Sequence, residues 1–155
     1  MPELRKDPVT GRWVIIATER AARPSDYLVA SSPPRGGVCP FCQGNEAMTP
    51  PEIEAFGEEG RSANGPGWWL RVVPNKFPAL RVEGELNRKG VGIYDLMAGI
   101  GAHEVIVEHP KHNANPATMT LEEVSLALMA AAERFEALQR VGDAPAVRGE
   151  CVVSG

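Results

Sequence analysis

The fold turns on residues 102–140, AHEVIVEHPKHNANPATMTLEEVSLALMAAAERFEALQR. The first part alternates His103, Val105 and Val107 with Glu104, Ile106 and Glu108 and then meets Pro110, so it reads as a β-strand that stops there. The second part changes period. Thr120 with Glu123 three residues later forms a capping box, and Val124, Leu128, Ala131, Phe135 and Leu138 recur at spacings of four and three. A helix follows the strand, and this row of five predicts the face it lays on a sheet.

Upstream the signals are strands and loops. DPVTG at 7–11 carries three reversal-prone residues and is followed by RWVIIAT, rich in β-branched side chains, which predicts a hairpin. WWLRVV at 68–73 predicts a strand that breaks near Pro74. PSDYLVASSPPRGG at 24–37 and GEEGRSANGPG at 57–67 are rich in Pro, Ser and Gly and predict loops. Strands, loops, strands and then a helix lack the βαβ alternation of a doubly wound fold, so the expected class is α+β with an antiparallel sheet. The 155 residues, 43% of them hydrophobic, suit a single folded unit over 1–155.

Charge and hydropathy narrow the class of partner. The chain contains no run of about 18 apolar residues, and MPELRKDPVTGRW places charges where a signal peptide needs an apolar stretch, so the expected location is cytoplasmic with no membrane partner. A net charge of −4 and a pI near 5.4 argue against a nucleic-acid partner. Residues 1–35 are locally positive, with Arg5, Lys6, Arg12, Arg20, Arg23 and Arg35 against Glu3, Asp7, Glu19 and Asp26. That balance suits a small anionic ligand or ordinary scatter.

Residues 38–52, VCPFCQGNEAMTPPE, carry Cys39 and Cys42 two residues apart. Such a pair can be a redox couple, a disulfide, half of a metal site or a buried turn with inert thiols. A reducing compartment disfavours a disulfide. A thioredoxin-type couple opens a helix after a strand, whereas Gln43, Gly44, Asn45 and Pro50-Pro51 promise a loop, so metal is the better reading. His109 and His112 would complete a Cys2His2 set, at a spacing shorter than usual and with Pro110 between them. His103 reads as an ordinary core or surface histidine.

Taken in order, DPVTGRWVIIATERAARP, CPFCQGNEAMTPPE, WLRVVPNKFPAL and GIGAHEVIVEHPKH resemble the N-terminal half of galactose-1-phosphate uridylyltransferases, in the histidine-triad superfamily. The resemblance covers about residues 3–140 and leaves 141–155 as a divergent tail. It implies dimers of an α+β half-barrel with a structural zinc. It further implies transfer of a uridylyl group from UDP-glucose to galactose 1-phosphate through a uridylyl-histidine. Carried onto this chain, it places Arg20 and Arg23 at the nucleotide's phosphates and Asn75 and Phe77 around the uracil, with Lys76 between them in the substrate-binding segment. Cys39, Cys42 and His112 become zinc ligands.

The resemblance draws its fourth ligand and its nucleophile from a His-Pro-His motif, and this chain has no histidine after His112. The domain is therefore expected to be C-terminally incomplete and inactive alone, with His109 or water as a substitute fourth ligand. Two other readings stand beside it: an ADP-utilising phosphorylase of the same superfamily, and a non-catalytic, zinc-stabilised nucleotide-binding module, including one completed by a second chain.

Overall fold

The computed structural model describes residues 2–17 and 38–140. The predicted hairpin is β1 (Glu3–Lys6) and β2 (Trp13–Ile16), paired antiparallel with Lys6 opposite Trp13. Its turn is held by one carboxylate. Asp7 accepts the backbone N–H of Val9 at 2.8 Å and of Thr10 at 3.3 Å and the Thr10 hydroxyl at 2.9 Å, which hold it below the usual carboxylate range, the Val9 bond foremost.

Five further strands follow: β3 (Glu54–Gly57), β4 (Trp68–Pro74), β5 (Lys89–Val91), β6 (Tyr94–Ala98) and β7 (Glu104–Val107). They form two antiparallel sheets, β2-β1-β6-β5 and β3-β4-β7, where one sheet was expected; the class is α+β as predicted. Leu4, Leu80 and Met97 centre the core of the first sheet, with Trp13, Ile15 and Leu86 packed around them. In the second, β4 is buried on both faces, and Trp69 alone in its body is exposed. The 57–67 loop closes the β3–β4 hairpin so tightly that a Cβ on Gly57 would lie 2.3 Å from the Gly67 carbonyl oxygen.

The helix α1 (Leu121–Arg140) starts at the predicted box. Thr120 N–H donates to Glu123 Oε2 at 2.8 Å, and Glu123 N–H donates to the Thr120 hydroxyl at 3.3 Å. Its packing face is turned from the predicted row, of which Ala131 still packs against the sheet core. Ala127 and Ala130 are the buried positions, resting on Leu70, Val72 and Ile106, while Leu128 and Phe135 are exposed at 68% and 44%. Arg134 ties that face to the sheet: it reaches Glu104 of β7 through two 2.8 Å bonds and Glu54 of β3 at 3.6 Å. Alanines beneath let the helix approach β4 and β7 closely. No described helix is long and apolar enough to cross a membrane.

Candidate functional site

The Cys39–Cys42 segment is a tight knuckle rather than a helix start. Cys42 N–H donates to Cys39 O at 3.3 Å, Asn45 N–H to Cys42 O at 3.1 Å, and Asn45 Nδ2 to Cys39 O at 2.8 Å. Gly44, at φ +94, supplies the left-handed residue this path needs. Two contacts dock it on the β3-β4-β7 sheet. Phe41 packs into the cluster of Trp68, Val73, Val105 and Val107, and Gln43 N–H donates to Pro110 O at 3.3 Å. The loop that follows β7 is thereby brought over the thiols.

The result is a trio: one ligand atom each from Cys39, Cys42 and His112, all within 4.8 Å of one another. Both thiols are free. Cys42 Sγ lies 3.6 Å from His112 Nδ1. A tetrahedral metal with legs of about 2.3 Å to sulfur and 2.0–2.1 Å to nitrogen separates those two atoms by about 3.6 Å, so the donor set and its spacing fit zinc. Without a metal, burial and then the neighbouring Cys39 thiol push the Cys42 thiol up.

His109 does not join the trio. Its Nδ1 accepts the Lys111 N–H at 2.9 Å and its Nε2 faces Glu123 Oε1 at 3.2 Å, so both ring nitrogens are engaged at the helix N-terminus. Glu123 is held low by the Thr120 N–H first and by His109 after it. The expected substitute ligand is thus a histidine whose ring nitrogens face Glu123 and the Lys111 N–H.

Two anchors of the knuckle carried no signal in the sequence reading. Glu46, 7% exposed, accepts Gly44 N–H on both carboxylate oxygens (3.0 and 3.1 Å) and Trp68 Nε1–H at 2.8 Å. Burial works to raise its pKa; the Gly44 and Trp68 bonds outweigh that and keep it below the ordinary value. Further on, Glu52 takes Arg61 in a bidentate pair at 2.8 and 3.0 Å and Arg71 Nε at 2.9 Å. Arg71 also donates to the Thr49 hydroxyl at 2.8 Å, which ties the end of the cysteine segment to β4.

The second predicted group lies in the loop after β4. Asn75 N–H donates to His103 O at 2.8 Å, and Asn75 Oδ1 accepts Phe77 N–H at 2.8 Å. Asn75 Nδ2 stands 3.1 Å from His103 Nε2, and Ala79 N–H donates to His103 Nδ1 at 3.0 Å. Phe77 is 49% exposed and Lys76 is exposed beside it, so this ring is not a core residue. Arg20 and Arg23 lie outside the described residues.

No family model matches the chain. ADP-glucose phosphorylase of Arabidopsis thaliana is 39% identical over 117 residues, which cover 72% of this chain and 32% of that protein. A solved uridylyltransferase mutant superposes with a TM-score of 0.58 at 25% identity, covering 92% of this chain and 36% of that one. The crystal structure of the Arabidopsis ADP-glucose phosphorylase with bound ADP-glucose gives 0.52 at 34% identity, covering 92% and 39%. In sequence the chain is similar to ADP-glucose phosphorylase, and in fold to that protein and to uridylyltransferases. It spans about a third of the length of the curated relative it matches.

Proposed function

We propose that this chain is the nucleotide-binding, zinc-stabilised part of a sugar-nucleotide transferase, and that its nucleotide sugar is of the ADP-glucose type. The observation that carries the reading is the 39% identity to ADP-glucose phosphorylase, with 34% to its ADP-glucose-bound structure against 25% to the uridylyltransferase. Asn75, Lys76 and Phe77 form the exposed loop proposed to meet the base, and Arg20 and Arg23 are proposed to meet the phosphates. Cys39, Cys42 and His112 would hold zinc, whose contribution is a cross-link between the knuckle and the loop after β7.

The second reading, uridylyl transfer from UDP-glucose to galactose 1-phosphate, is favoured by the higher TM-score of the uridylyltransferase. Thermal melting with each sugar nucleotide separates the two, because a ligand at 100 times its Kd stabilises by about 2.7 kcal/mol. A larger Tm rise with ADP-glucose than with UDP-glucose is expected. The reverse order would install the second reading, and no rise with either would remove both.

A further inference from the structure

Of the three donors in the trio, His112 is the one that packing does not hold. Its side chain is exposed, on the rim of a hollow that also takes in His109, Thr120 and Glu123. What places it is the backbone of residues 108–120, the connection between β7 and α1. That connection is fixed at two points just before His112. Pro110 O takes the Gln43 N–H of the knuckle at 3.3 Å, and His109, 13% exposed, joins the turn to the helix. His109 Nδ1 accepts the Lys111 N–H at 2.9 Å, and His109 Nε2 faces Glu123 Oε1 at 3.2 Å. A backbone N–H only donates and a carboxylate only accepts, so one neutral tautomer, bare at Nδ1 and protonated at Nε2, satisfies both partners. Glu123 is itself held. Its Oε2 takes the Thr120 N–H at 2.8 Å and its own N–H donates to the Thr120 hydroxyl at 3.3 Å, which leaves Oε1 for His109.

We propose that His109 is a positioning residue: its ring ties the turn that carries His112 to the capping box of α1, and so holds the His112 imidazole 3.6 Å from the Cys42 sulfur. The naming of the metal as zinc rests on the function proposed above; the tie itself does not. The path is continuous, from the first turn of α1 through Glu123 and the His109 ring to the Lys111 amide next to His112. A metal that closes on a loose connection must order it in the act of binding, whereas a turn already anchored to a helix spares that ordering cost. Removing a group that orients a metal's ligand commonly costs about 10–100-fold in affinity. The histidine that the sequence offered as a substitute ligand thus serves the site from behind, through the backbone of its neighbour.

The test uses the full chain labelled with ¹⁵N, with zinc affinity read by competition against a chelator and the ligand set read by cobalt absorption. Ring nitrogen shifts are expected to show the Nε2–H form of His109. His109→Ala is expected to weaken zinc about tenfold while the cobalt protein keeps the parent's thiolate and ligand-field bands. Asn offers an oxygen near the place of Nδ1, and Gln a donor near that of Nε2. Each restores one of two ties in series, so His109→Asn and His109→Gln are each expected to stay at least about threefold weaker than the parent. Glu123→Ala is expected to match His109→Ala, and the double variant to be less than about twofold weaker than either. Thr120→Val removes the cap hydroxyl and leaves the His109–Glu123 contact; it is expected to lower the Tm and to keep zinc affinity within about threefold. An Nδ1–H ring, a His109→Ala variant that binds like the parent or has altered ligand-field bands, full recovery with Asn or Gln alone, or a Thr120→Val loss equal to that of His109→Ala would each overturn the proposal. If the parent binds no metal, the zinc reading falls. The positioning role is then decided by the nuclear Overhauser contact between the His112 ring and the Cys42 β-protons, expected in the parent and lost in His109→Ala; its absence from the parent or its survival in the variant overturns the role.

Discussion

Glu52 offers a prediction whose size follows from the structure. Its side chain is 7% exposed and faces Arg61 and Arg71, themselves 12% and 2% exposed. The Arg61 hydrogen bonds, outweighing burial and joined by the Asn64 and Arg71 bonds, take its pKa from 4.5 to about 2. At about 1.36 kcal/mol per unit, that depression corresponds to about 3 kcal/mol of stability carried by the ionised form. The direction is fixed by the lowered folded-state value. The contribution is complete above pH 4.5 and is lost as the pH falls toward 2. Linkage gives about 0.8 kcal/mol lost at pH 4 and about 2 kcal/mol at pH 3.

Glu52→Gln keeps the shape and removes the charge, leaving two nearly buried guanidinium groups facing an amide. Breaking such a pair costs about 3–5 kcal/mol at neutral pH. Urea unfolding of both proteins, followed by Trp fluorescence at pH 7, 5, 4 and 3, should show a gap of about 3 kcal/mol at pH 7 that shrinks to about 1 kcal/mol at pH 3. Acid release of a metal would affect both proteins alike and cancels in the difference. A gap below about 1 kcal/mol at pH 7, or a gap that stays constant with pH, would refute the assignment of this network as a stabilising one.

Three more outcomes are expected. Metal analysis should find one zinc per chain, and Cys42→Ser and His112→Ala should each abolish it and lower the Tm by several degrees, while changing nucleotide affinity by less than about threefold. Trp68→Phe removes the indole donor from buried Glu46 and should cost about 1–3 kcal/mol in urea unfolding and weaken zinc retention against a chelator. Ala130→Leu should cost about 1–3 kcal/mol by overpacking and Leu128→Ala less than about 0.5 kcal/mol; the opposite order would return the helix to the leucine row.

The elements legible in the sequence are those that carry their own signal. DPVTG closes the hairpin through the Asp7 side chain, Pro74 ends β4, and Thr120 with Glu123 starts the helix; each is a local hydrogen-bond or steric fact. β3, β5 and β6 are short; β5 is exposed throughout and pairs with β6 across a two-residue turn, while β6 takes its other partner, β1, from far away in sequence. The helix face was misjudged for a related reason. Size favoured Leu128 and Phe135, but the buried residues are Ala127 and Ala130, and the ion pairs of Arg134 run to acids on two other strands. Across the site, Cys39 and Cys42 announce themselves, whereas His112, 70 positions from Cys42, is paired in the sequence with His109 at an unusual spacing and is singled out only by the resemblance. His103 and Glu46 look ordinary in one dimension because their work is to hold other residues' backbone groups.

The geometry also separates two jobs that the sequence placed side by side. Pro74 pairs with Glu104 at one end of the β4–β7 ladder, where Asn75 and His103 meet, and Arg71 pairs with Val107 at the other. Three steps of about 3.3 Å put roughly 10 Å of buried ladder between those ends. The knuckle and His112 sit beyond the Val107 end, where Gln43 reaches Pro110, and the exposed loop lies beyond the other. The trio and the Asn75–Phe77 loop thus lie at opposite ends of the ladder. Between them, Val105, Val107 and Val73 pack with Phe41 of the knuckle, a contact that ties the cysteine segment to both strands.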